Sequence, residues 1–125
     1  MDITAPKIDP TTNNRQPELP IACDLTQIPA AQLSEHEKRA QYLFGPGMQE
    51  SRELTNGYAM RFSPNDYPTL CDFIAHERLC CPFFQFTLEL QPNSGPIWLQ
   101  ITGQPGAKEL LSSALLSTGI QNNLE

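Results

Sequence analysis

The chain has 125 residues, and 14 acidic against 8 basic side chains leave a formal net charge of −6; this is one domain's worth of chain whose acidic surface repels a phosphate backbone, so nucleic acid is not an expected partner. Hydrophobic residues make up 39% and charged residues 18%, and no apolar run approaches the ~20 residues that span a bilayer, so a membrane span is not expected either. The opening MDITAPKIDPTTNN lacks an apolar core and a basic start, so it does not read as a secretion signal, and a cytoplasmic chain with reduced thiols is expected.

Residues 1–20 hold Pro6, Pro10, Pro17 and Pro20 and a Thr-Thr-Asn-Asn run; this composition predicts a disordered N-terminal arm. A single domain is expected over 21–120, with a short tail at 121–125. A first helix is predicted over about 29–44, with Thr26 as a cap and Pro29 in its first turn. Leu33, Ala40, Leu43 and Phe44 share one face, and Gly45-Pro46-Gly47 stops it. Asn56-Gly57 then separates Ser51-Arg52-Glu53-Leu54 from Tyr58-Ala59-Met60-Arg61-Phe62. Both residues tolerate positive φ, so a hairpin is predicted there. A central helix follows from Asp66 or Tyr67 to Cys81, ended by Pro82. Phe84, Phe86, Leu88 and Leu90 alternate with polar residues, as do Ile97, Leu99 and Ile101, giving two half-buried strands around the turn at 92–96. Leu110, Leu111, Ala114 and Leu115 stripe a last helix at 107–117. The order α-β-β-α-β-β-α, with short connections within each strand pair, predicts an α+β domain. Its sheet is four-stranded and mainly antiparallel, with the helices on one face.

The central helix carries the informative conflict. At about 100° per residue, Leu70, Phe73, Ile74, Glu77 and Cys81 share one face, with Cys80 at its flank. A carboxylate in an apolar stripe is costly unless it is protonated, hydrogen-bonded or bound to a cation. Adjacent cysteines seldom pair with each other, so Cys80 and Cys81 are expected as thiols. Thiolates favour zinc, copper(I) and heavier thiophiles. The negative end of the helix opposes thiolate formation, a penalty that a metal ion would reverse. His76 shares a turn with Cys80 and is a candidate further ligand. His36 lies near the apolar stripe of the first helix and is a weaker one. Cys23 precedes the first helix and is also a candidate, while Cys71 reads as packing. A structural reading stands beside this one: free cysteine is among the most buried residue types, and Glu77 has Arg61 and Arg78 as potential partners.

Outside that helix the signals are weaker. Trp98 points to the polar face of its strand, which suggests an interface and a homodimer. Gly103-Gln104-Pro105-Gly106-Ala107-Lys108 opens a helix after a strand, but lacks the phosphate-loop pattern and reads as a connector.

Glu77-Arg78-Leu79-Cys80-Cys81-Pro82-Phe83-Phe84 resembles the E-x-x-C-C-x-F signature of a group of small uncharacterised bacterial proteins. Cys23-Asp24-Leu25, Asn56 through Phe62 and Leu99 through Gly103 resemble that group as well. The resemblance implies that Glu77, Cys80 and Cys81 belong together, with Cys23 as a further candidate, and it supplies no reaction. The leading expectation is therefore a small cytosolic protein whose Glu77/Cys80/Cys81 site binds a soft metal or metalloid ion such as zinc. One alternative is an enzyme using buried Glu77 or a thiol for acid/base or redox chemistry, which needs open space beside Glu77. Another is a non-catalytic module that self-associates through Trp98.

Overall fold

Alternating apolar residues become strands and 3.6-residue stripes become helices throughout residues 21–117, which the computed structural model describes. The elements are α1 (Ala30–Leu43), β1 (Glu50–Leu54), β2 (Gly57–Phe62), α2 (Tyr67–Cys80), β3 (Phe84–Leu90), β4 (Ile97–Gly103) and α3 (Ala107–Ser117). Single 3-10 turns at Leu25–Gln27 and Pro64–Asp66 precede α1 and α2. The expected arm at 1–20 and tail at 121–125 lie outside the described residues. Among the described residues, no helix is long and apolar enough to cross a membrane.

The sheet order is β1-β2-β4-β3, with every neighbouring pair antiparallel. The two hairpins therefore join through β2 and β4, and α2 carries the chain over β4 from one hairpin to the other. Register puts Met60 opposite Leu99 and Phe62 opposite Ile97. These four side chains are at most 2% exposed and form the floor of the core. Phe86 and Leu88 extend that face along β3. Leu43, Leu70, Phe73 and Leu111 cover it from the helices. The opposite face carries Trp98, whose ring lies 4.7 Å from the Arg52 guanidinium carbon. The outward Trp thus has a cation–π partner within its own chain.

Two features differ from the sequence expectation. The loop of the first hairpin is Thr55-Asn56, and Gly57 is already in β2, paired with Leu54. Positive φ among the described residues occurs at Asn93, Ser94 and Gly106, not in this hairpin. Gly57 is required for close approach instead: a Cβ there would lie 2.0 Å from the carbonyl oxygen of Ile101 in β4. At α1, Pro29 sits at the N-cap, ahead of the first turn. Thr26 belongs to the preceding 3-10 turn, where it donates its N–H to Asp24.

The helices α1 and α2 run antiparallel and are tied near both ends. The Tyr42 hydroxyl donates to both carboxylate oxygens of Asp66, at 3.0 and 3.2 Å. Asp66 is 8% exposed and stands at the start of α2, where a negative charge meets the positive end of the helix. The Asp66 carboxylate accepts from the Tyr42 phenol and holds its pKa above the ordinary value.

Two stability predictions follow from these contacts. Gly57→Ala forces β2 away from β4 and should cost about 3 kcal/mol in urea unfolding. Tyr42→Phe should cost about 1 kcal/mol, a hydrogen bond to a charged group discounted for the exposure of the ring. Because the phenol pKa is raised on folding, that contribution is present below pH 10 and fades as pH rises through the folded pKa. A Tyr42→Phe difference that persisted unchanged above that pH would contradict the assignment.

Candidate functional site: a sulfur cluster beside a half-buried carboxylate

The helix stripe that places Glu77 inward brings it against α1. His36, three residues after Leu33 and four before Ala40, points from the inner face of α1 and is 3% exposed. Its ring stacks on Phe73 with 5.2 Å between centroids and 7° between planes. Its Nε2 lies 2.8 Å from Glu77 Oε1. Its Nδ1 is buried and makes no hydrogen bond among the described residues. A proton on Nδ1 would thus be a buried donor with no acceptor, so the neutral ring carries its proton on Nε2 and donates it to Glu77.

The sulfurs gather one turn further along. Cys80 and Cys81 are each 1% exposed. Cys80 Sγ is 3.7 Å from Glu77 Oε1, 3.6 Å from the Glu77 carbonyl oxygen and 3.4 Å from Cys81 Sγ. The α2 C-cap fixes this geometry: the Cys81 N–H donates to the Glu77 carbonyl at 2.8 Å, and Pro82 prevents another turn. The Asp24 N–H donates to the Cys80 carbonyl at 2.8 Å and holds the 23–24 segment against the end of α2. Ile28, Phe83 and Ala107 pack around both cysteines as a small second core.

Cys23 and Cys81 are joined as a disulfide across 58 residues of sequence. This corrects the expectation of two free vicinal thiols. Adjacent residues do not pair; the pre-helix segment supplies the partner, and Cys80 stays a thiol. Burial, then the negative charge and hydrogen bond of Glu77, push the Cys80 thiol up to about 12.

Of the residues expected at the site, Glu77, Cys80, Cys81 and Cys23 converge. His76 turns aside: its Nδ1 bonds the Asp72 carbonyl at 2.8 Å and its Nε2 contacts Gln32 Oε1. The histidine that reaches the cluster is His36. Its Nε2, Glu77 Oε1 and Cys80 Sγ lie within 4.8 Å of one another and could hold a metal ion. The signal for His36 was its place in the Leu33/Ala40/Leu43 stripe, where a polar ring needs a buried partner. Arg61 is engaged by Glu50 at 3.5 Å. Among the described residues the carboxylate of Glu77 has His36 and Cys80 as its partners, and no backbone amide closes it off. A cavity of about 120 Å³ adjoins it. Trp98 is on the far side of the sheet, and Lys108, in the first turn of α3, reaches Glu53.

No protein-family model, curated protein or solved structure matches the chain, so chemistry must be read from this geometry. The raised Cys80 pKa makes the folded state favour the protonated thiol. Its contribution is complete below the unfolded value of about 9 and is lost as pH climbs toward 12. Disulfide-intact protein should therefore lose stability over that window more steeply than Cys80→Ala, as measured by urea midpoints. Iodoacetamide at pH 8 should label Cys80 at least about a hundredfold more slowly than an exposed thiol. Labelling at the exposed rate would contradict the burial.

Proposed function

We propose that the protein, with Cys23–Cys81 reduced, binds a thiophilic metal ion, with zinc as the reference ion. The thiolates of Cys80, Cys81 and Cys23 are the soft donors, Glu77 is the oxygen donor, and His36 is either a nitrogen donor or the group that orients Glu77. One observation carries the reading. Three sulfurs, a carboxylate and an imidazole arrive at one place from three separate segments, and the carboxylate oxygen lies 2.8 Å from the imidazole nitrogen. An ion entering between Nε2 and Oε1 replaces the hydrogen bond between them and turns the half-buried carboxylate from a cost into a ligand. It also reverses the penalty on the Cys80 thiolate, since a metal deprotonates a coordinating thiol outright. A mixed N/O/S donor set of this kind suits zinc.

Anaerobic, reduced protein should bind one zinc ion in competition with a chromophoric chelator. The Cys80→Ser/Cys81→Ser double variant should lose that binding. His36→Ala should weaken it by about tenfold to a hundredfold, the usual cost of losing a group that orients a ligand. No gain in affinity of the wild type over the double variant rejects the proposal.

A further inference from the structure

The cavity beside the sulfurs has no role in holding a bare ion. It measures about 120 Å³, and Phe44 just after α1, Phe73 of α2, Phe84 of β3 and Leu111 of α3 supply its walls. Cys23 and Glu77 are its polar lining residues. Glu77 is engaged with His36, and Cys23 is half of the disulfide. The lining thus offers an occupant apolar contact everywhere except at sulfur and one carboxylate. Apolar cavities lined by Leu, Ile and Phe, of about 150 Å³, hold a benzene-sized guest. Two lining residues, Cys23 and Ala114, are exposed, so the space is reached from the surface past them.

Resting on the ion-binding reading, we propose that this site takes an organo-substituted thiophile: a trivalent metalloid bearing one small apolar group, of the class R–As(OH)₂. The element is held by the Cys23/Cys81 dithiol and R fills the cavity. A dithiol reductant first opens Cys23–Cys81, passing two electrons and becoming a disulfide itself. Each protein thiol then displaces one hydroxyl. Two As–O bonds break and two As–S bonds form, and two waters leave with the thiol protons. Arsenic stays trivalent and its bond to carbon is untouched.

The test uses full-length protein reduced with a dithiol, desalted anaerobically, and titrated with phenylarsonous acid, methylarsonous acid and arsenous acid. Phenyl should be preferred over methyl by at least about tenfold more than a free small dithiol prefers it, the gain expected from burying a ring. A biphenyl analogue, too large for the cavity, should lose the gain, a comparison that needs no variant. Ala114→Phe, at an exposed lining position, should abolish the phenyl preference and leave arsenous acid binding unchanged. A preference equal to that of the free dithiol, or one surviving in Ala114→Phe, overturns the inference. Binding of zinc or arsenous acid without the phenyl preference defeats this inference alone, whereas failure of zinc and every arsenical defeats the ion-binding proposal with it.

Discussion

A carboxylate inside a helix–helix contact must be answered, and His36 answers Glu77. The distance is 2.8 Å and the imidazole is nearly fully buried. The pair does two things at once. It neutralises the polarity of the apolar stripe on α2 with one hydrogen bond, and it turns Glu77 Oε1 toward Cys80. Stacking on Phe73 fixes the ring that fixes the carboxylate. The placement of the sulfurs relative to oxygen therefore depends on a contact made by α1, an element that contributes no sulfur.

The wider fold serves the same end. Tyr42 with Asp66 and His36 with Glu77 set the axial register of two antiparallel helices from opposite ends. A slide of one residue along either helix, about 1.5 Å, would break both pairs together. The sheet beneath contributes rigidity, because β2 and β4 at its centre carry the most buried side chains. The cavity is the place where this packing stops short. Aromatic side chains from the end of α1 (Phe44), from α2 and from β3 surround the gap without filling it. Interiors are close-packed as a rule, so a gap of this size beside reactive groups is the kind of local inconsistency that marks a site.

The fold was legible because period-two alternation at Phe84 through Ile101 and helical stripes at Leu70/Phe73 and Leu110/Leu111 depend only on local chain geometry. The conflict at Glu77 was legible for the same reason, since a helical wheel needs no tertiary information. What could not be read was which residue resolves it. On paper His76, one turn from Cys80, is the better ligand and His36 the weaker, and only the crossing of α1 over α2 decides that His36 meets Glu77 while His76 meets Gln32. The role of Gly57 was misread for a related reason. Asn-Gly signals a turn locally, but the glycine is needed for close approach to Ile101 of β4, far downstream in sequence. The pairing of Cys81 with Cys23 is likewise a property of where the segment before α1 docks, fixed by the Asp24-to-Cys80 backbone bond.

That docking gives the cysteines a structural as well as a chemical meaning. A cross-link closing a 58-residue loop is worth about 4 kcal/mol in the chain-entropy account. Domains of this size are stable by only about 5–15 kcal/mol in total. Opening the disulfide therefore loosens the segment that carries Cys23, although the Asp24 backbone bond and the burial of Ile28 still hold it near α2. An ion bridging the same sulfurs closes the same loop and restores the constraint. On the proposed reading, disulfide and ion are alternative fastenings for the same two segments. On that reading the reduced, empty protein is the least constrained of the three forms, and for that reason it is the one best able to admit a ligand between the segment before α1 and the end of α2.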